Sequence, residues 1–319
     1  MNKRIAYLDY LKAIAIFLVI IFHSTAYDDI VLPPLLSMCV TIFFAVNGYL
    51  MLVKKRPYKY LLQKDLKIIF LVIFWGLLRS AFQSYVVGGN MAFMPIFEKF
   101  AAFKVGYGNY LWFLVALFIL NLVNPLIYTF VHHSTRKDKM VFCVLLLIFT
   151  ANFIDLLSWK FNPLKHWYHS EALFYYVTGF FALTYAGRLK WPWWKIGMVF
   201  LAFYLLQLLQ NCLFATPMFA RFRVDPLVFG NYASVWVMGE TLAFIVLMSK
   251  MNLKENKVIG FIGRNTLGIY ILQDFFCSIT RNLMPGEYLA AYPLLVMLLC
   301  MAVMWLAERS KVLKWFVKI

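Results

Sequence analysis

The first apolar segment of the chain, RIAYLDYLKAIAIFLVIIFHS, carries three ionisable residues, Asp9, Lys12 and His23. Ionisable groups at membrane depth are expensive, and they face a cavity, a partner or a substrate path. Each residue of an α-helix advances by about 100°, so positions eleven apart return to within about 20° of each other. Lys12 and His23 therefore share one stripe, separated by about 16 Å along the axis. Asp9 lies one turn before Lys12, near enough to pair with it. An imidazole titrates near neutrality and can take a proton from a hydroxyl. A cation on the same stripe can fix an anionic or carbonyl oxygen. His23 is therefore the candidate base and Lys12 its electrostatic partner, with Asp9 orienting or neutralising the lysine. A helix-end histidine bonded to a neighbour, and a plain Asp9–Lys12 ion pair, are the readings that residue types alone leave open.

Further along, KKRPYKYLLQKDLK at 54–67 holds six cations and one acid. Lys64 and Lys67 stand one helical turn apart at the start of an apolar run, a spacing suited to a phosphate-bearing ligand. Lys54, Lys55, Arg56 and Lys59 are explained by the ordinary enrichment of cations in cytoplasmic loops. Arg79 and Glu240 fall inside apolar runs, so they pair with each other or line a cavity. Asn47 and the Gln273–Asp274 pair interrupt apolar runs and can exchange hydrogen bonds with a polar ligand. Trp112 can stack on a sugar ring or anchor a helix at the membrane interface. Trp159, Trp167, Trp191, Trp193, Trp194 and Trp315 are expected to be anchors. Asp155 and Glu171 sit near helix ends, where solvation accounts for them. His132 and His133 have no neighbouring carboxylate or cysteine in sequence, and His166 and His169 lie in a loop, so no metal site is expected. Cys39, Cys143, Cys212, Cys277 and Cys300 sit at scattered spacing in apolar runs and read as small hydrophobes.

These residues must be positioned by membrane helices. The chain has 319 residues, 63% of them hydrophobic, and a mean hydropathy of +0.75. That composition excludes an ordinary soluble domain and indicates an all-α polytopic membrane protein. Ten apolar runs of membrane-crossing length are expected, near 5–23, 35–53, 66–87, 111–131, 140–158, 171–187, 194–214, 228–249, 264–281 and 289–307. The net charge of +17 would point to nucleic acid in a soluble protein. Here the cations cluster between apolar runs, and no nucleic-acid partner is expected. With the N-terminus inside, the inner segments hold 21 Lys and Arg against seven in the outer loops, which predicts cytoplasmic termini at both ends. His23 is then near the outer face. The first run is long, carries Lys12 and lacks a small-residue cleavage pattern, so it is expected to be retained. No segment between runs is long enough for a core of its own, and residues 1–319 read as one domain.

Several segments, in order, resemble the integral-membrane acyltransferase family 3. Its members move acyl groups, often acetyl, from acyl-CoA to sugars of surface glycans. Lys12 through His23, within LDYLKAIAIFLVIIFH, is similar to the family's opening basic residue followed after ten positions by histidine. FFAVNGYL at 43–50 resembles its aromatic segment, with Asn47 in place of the usual serine. KDLK at 64–67 looks like its basic-x-x-basic pair, with Lys64 and Lys67 where arginine is common. YLWFLVALFILNLVNP at 110–125, FYYVTGFFAL at 174–183 and IGRNTLGIYILQ at 262–273 fit the pattern, although Gln273 stands where many members have histidine.

The resemblance implies a multi-pass protein of the bacterial cytoplasmic (inner) membrane. It would use acyl-CoA, with acetyl-CoA the expected donor, and would hold no permanent cofactor. His23, Lys12 and Asp9 would serve catalysis, His23 either as the base that activates the acceptor hydroxyl or as the carrier of the acyl group itself, and Lys64 and Lys67 would hold the donor phosphates. Asn47, Trp112, Glu240 and Gln273 would meet the acceptor, a cell-surface glycan or its lipid-linked precursor. The partners would be the bilayer, the two substrates and proteins of glycan assembly. A transporter or flippase of a glycan or lipid-linked intermediate is the alternative. No repeat related by inversion supports it in this sequence.

Overall fold

The computed structural model describes residues 5–24, 32–88, 111–150, 170–214, 232–283 and 291–317, and every regular element among them is helical. In chain order these are α1 (Ala6–Ser24), α2 (Leu32–Leu52), α3 (Tyr58–Gly88), α4 (Trp112–His133), α5 (Arg136–Thr150) and α6 (Ser170–Tyr185). A 3₁₀ turn at Ala186–Arg188 leads to α7 (Trp193–Phe214), α8 (Val235–Lys250), α9 (Lys257–Leu283), α10 (Tyr292–Arg309) and α11 (Lys311–Val317). A helix lies over each of the ten apolar runs. By length and hydropathy, five segments among the described residues are able to cross a membrane: Ala6–Ser24, Pro34–Leu52, Trp112–His133, Trp193–Cys212 and Tyr292–Arg309.

Two helices start well over a turn before their apolar runs. α3 begins at Tyr58, directly after Pro57, so Lys59, Lys64 and Lys67 all lie on its first turns. α9 begins at Lys257, where the Asn256 side chain accepts hydrogen bonds from the amides of Val258 (2.9 Å) and Ile259 (3.2 Å). Hydropathy marks only the apolar part of a helix, whereas caps and prolines set its ends. α5 opens on a reciprocal cap. The Thr135 hydroxyl donates to Asp138 Oδ2 at 2.7 Å, and the Asp138 amide donates back to Thr135 Oγ1 at 3.2 Å.

The chain divides into two compact units, 1–55 with 126–266, and 56–125 with 267–319. In the first, α2 packs on α1 and α6, and α8 packs on α7, α6, α2 and α1. The α2–α6 crossing depends on glycine at both sides. A Cβ at Gly48 would collide with the Tyr176 backbone carbonyl, and one at Gly179 with Ala45. The small residue of FFAVNGYL is thus a backbone contact point. The core of this unit centres on Leu11, Ile16, Ile20, Phe44, Tyr175 and Tyr176, all fully buried.

The second unit holds α3, the first part of α4, the later part of α9, α10 and α11. α11 folds back onto α3, where Trp75 Nε1 donates to the Phe316 carbonyl at 2.8 Å. A Cβ at Gly268 of α9 would strike the Met304 side chain, with the Val317 carbonyl 3.1 Å away. The end of the described chain is therefore seated among three helices.

Candidate functional site

α1 runs unbroken from Ala6 to Ser24 and carries Asp9, Lys12 and His23 on one rod, as the spacing requires. Leu8, Leu11, Ala15, Ile16, Val19 and Ile20 form its buried face. Asp9 is 7% exposed, while Lys12 and His23 are half-buried. The His23 ring stands edge-on to Phe22, with centroids 5.2 Å apart. Next to it, the Ser24 hydroxyl donates to the Ile20 carbonyl at 2.5 Å. Asp9 owes its place to a missing side chain: a Cβ at Gly263 would lie 2.6 Å from Asp9 Oδ1 and 3.0 Å from its Cα. The glycine of IGRNTLG therefore lets α9 pass directly over the Asp9 turn. On α2, Asn47 is half-buried, and its Nδ2 has no hydrogen-bond partner among the described residues.

Glu240 on α8 has 0% exposure, and neither carboxyl oxygen has a hydrogen-bond partner among the described residues. Around it the first unit gathers hydroxyls that the sequence reading missed. Thr41 donates to the Met38 carbonyl at 2.9 Å, so Thr241 is the donor in the 2.7 Å Thr41–Thr241 bond. The Tyr175 hydroxyl donates to the Tyr232 carbonyl at 2.7 Å. It meets Thr241 and lies in the field of both Glu171 and Glu240. Threonine and tyrosine are common in membrane helices and raise no alarm in a hydropathy scan. Only the packing of α2, α6 and α8 shows that these belong together. The hydroxyl hydrogens of Thr41, Thr241 and Tyr175 thus go to carbonyls and to one another.

In the second unit, Leu61, Ile68, Leu71 and Trp75 form the buried stripe of α3, and Lys64 falls on the same helical spacing. Just ahead of the apolar run, Lys64 is half-buried, and burial pulls its ammonium down to about 8. Asp65 opposes that shift and Arg56 adds to it. Asp65 is buried and accepts from Asn121 Nδ2 at 2.8 Å. Lys67 is half-buried, with its ammonium 5.4 Å from the ring centroid of Trp315. Trp112, half-buried, stands edge-on to Phe113 at 6.4 Å. Gln273 has 0% exposure. Its Oε1 accepts from the Cys277 thiol at 3.6 Å, while its Nε2 has no partner among the described residues.

Arg79 finds its acid within this unit. Its Nε contacts Asp274 Oδ2 at 2.6 Å and its Nη2 contacts Oδ1 at 3.3 Å, a two-point fork. Of the two readings left open for Arg79, a pair with Glu240 or a place lining a cavity, the first is set aside, because its acid is Asp274. Intramembrane cations demand an acid, but the sequence offered several and could not rank them.

Other candidates resolve into packing. His132 donates from Nε2 to the carbonyl of Leu52 at 2.8 Å, closing the last turn of α2, and stacks on Tyr128 at 4.2 Å. Cys39, Cys277 and Cys300 are buried, Cys143 is half-buried and Cys212 is exposed. Asp155, His166, His169, Trp159 and Trp167 lie outside the described residues.

The first unit thus presents an imidazole, a cation and acids. The second presents two cations at the polar start of a helix and an interior amide with an unused donor. A profile described as an acyltransferase domain, that of acyltransferase family 3, matches residues 5–309, nearly the whole chain. No curated protein and no solved structure matches it.

Proposed function

The chain belongs to acyltransferase family 3, and on that premise we propose that it transfers an acyl group from acyl-CoA to a hydroxyl of a cell-surface glycan or its lipid-linked precursor. Acetyl-CoA is the expected donor. The protein is an acyltransferase with the helices of a multi-pass membrane protein. In the proposed setting it spans the bacterial cytoplasmic membrane ten times, with both termini inside. The observation that carries the reading is the unbroken α1 with Asp9, Lys12 and His23 at fixed helical positions.

In this reading His23 takes the proton of the acceptor hydroxyl as its oxygen attacks the thioester carbonyl. The developing oxyanion is met by a cation or an N–H donor, and Lys12 is the residue on the same stripe suited to it. Collapse breaks the C–S bond and expels the CoA thiolate, which receives the proton from His23, leaving ester and free thiol. Asp9 holds Lys12 in place. Lys64 and Lys67 bind the donor phosphates. Asn47, Trp112, Glu240 and Gln273 contact the acceptor.

The test is purified protein with labelled acetyl-CoA and candidate glycans. CoA release with label transfer is expected, and both should disappear in His23→Ala at normal protein level. The buried Glu240 keeps a transporter of glycan or lipid-linked intermediates as a second reading. Movement of such a substrate across vesicles without CoA release would replace the acyltransferase proposal by that one.

A further inference from the structure

We propose that α11 forms the nucleotide end of the donor site, with Trp315 as the platform on which the adenine of a CoA-type donor stacks and Lys67, Lys311 and Lys314 as the cations around its phosphates. This rests on the reading of Lys64 and Lys67 as donor-binding residues, and it adds a C-terminal element that this reading did not include.

The platform is built, not a loose tail. Trp315 packs against Phe70 with centroids 4.6 Å apart, and Phe316 against Phe74 at 4.7 Å. Trp75 clamps the Phe316 carbonyl at 2.8 Å, and Val317 is only 5% exposed. With its neighbours pinned, Trp315 remains 46% exposed as a residue. Lys311 lies one turn before Trp315 and Lys314 one turn after Lys311, so the three share one broad face of the helix, with Lys311 between the indole and Lys314. Both are exposed, and α11 contains no acid.

Lys67 contributes from a different helix. Its ammonium sits over the same indole at 5.4 Å. Other cation–aromatic pairs join near neighbours in sequence: Lys195 with Trp194, and Arg309 with Trp305. The Lys67–Trp315 pair instead joins the first turns of α3 to the C-terminal helix. An exposed aromatic ring framed by cations from two elements is the combination that receives a base and its phosphates. Coenzyme A supplies both, through an adenine, a 3′-phosphate and a pyrophosphate.

The experiment uses the full-length protein in detergent or nanodiscs. It measures binding of CoA, dephospho-CoA and S-acetylpantetheine, the last lacking the nucleotide. Trp315→Ala is expected to weaken CoA about tenfold and to leave S-acetylpantetheine unchanged, while Trp315→Phe, which keeps a ring and the packing, recovers most of the loss. Lys311→Gln with Lys314→Gln should narrow the gap between CoA and dephospho-CoA. If wild-type protein binds CoA and Trp315→Ala binds it equally well, the placement on α11 is wrong. Parallel loss of CoA and S-acetylpantetheine would likewise overturn it and leave Trp315 as an interfacial anchor. If wild-type protein binds no CoA at all, the acyl-CoA reading falls, and this inference with it.

Discussion

His23 ends α1 half-buried, about three helical turns after Lys12 on the same stripe. A base at that position has a definite kinetic signature. His23→Ala should lower kcat for acyl transfer by about 10²- to 10⁴-fold, the usual contribution of a positioned general base. His23→Gln, which keeps a hydrogen-bonding group but cannot titrate, should be equally slow; full activity in it would remove the base role. Lys64 makes a prediction in pH. Burial pulls its ammonium down to about 8, so the cation is present below that pH and lost above it. The KM for donor should therefore climb between about pH 7 and 9. Lys64→Arg stays charged throughout that range and should flatten the climb. A profile equally steep in Lys64→Arg would take Lys64 out of donor binding. The residue types and their offset along α1 were legible in the sequence. The state of Lys64 was not, because burial and the nearby charges of Asp65 and Arg56 depend on packing.

Among elements, the crossing of α2 and α6 is the most exacting contact. A methyl at Gly48 meets the Tyr176 carbonyl, which is backbone and cannot turn aside. Gly48→Ala should destabilise the protein by about 1–3 kcal/mol, read as a lower unfolding temperature in detergent. Gly197→Ala on α7 is the control. Its Cβ would meet nothing within 4 Å, so stability should hold or rise slightly, since alanine is the better helix former. If both glycines respond alike, the crossing is not the cause.

The Arg79–Asp274 fork joins α3 to α9. With side chains 19% and 15% exposed, the pair is partly screened by solvent. Asp274→Asn should therefore cost about 1–3 kcal/mol. Exchanging the two residues, Arg79→Asp with Asp274→Arg, should recover part of what either single change loses. The helices were readable from the lengths of the apolar runs, but the early starts of α3 and α9 were not, because Pro57 and the Asn256 cap act outside the apolar part. The acid that Arg79 selects was not readable, since Glu240 and Asp274 are both intramembrane acids in sequence.

For the whole molecule, the distribution of Lys and Arg predicts an orientation. With 21 cations in one set of segments and seven in the other, a fluorescent reporter fused after Ile319 should report a cytoplasmic C-terminus. A phosphatase inserted between residues 89 and 110 should be active outside. The opposite pattern would invert every assignment of face, including that of His23. The two compact units divide the candidate residues as well. His23, Lys12, Asp9, Asn47 and Glu240 belong to one, and Lys64, Lys67, Trp112 and Gln273 to the other.

The sequence by itself determined the class of molecule, its all-helical build and the line of Asp9, Lys12 and His23 along α1. Apolar length and the 3.6-residue repeat are properties of a single helix. Tertiary structure alone decided which neighbour each polar group meets. It pairs Arg79 with Asp274, sets Lys67 over Trp315, seats Gly263 against Asp9, and gathers Tyr175, Thr241 and Thr41 near Glu240. The periodicity of a helix fixes the direction in which a side chain points, but only the packing of other helices decides what stands there.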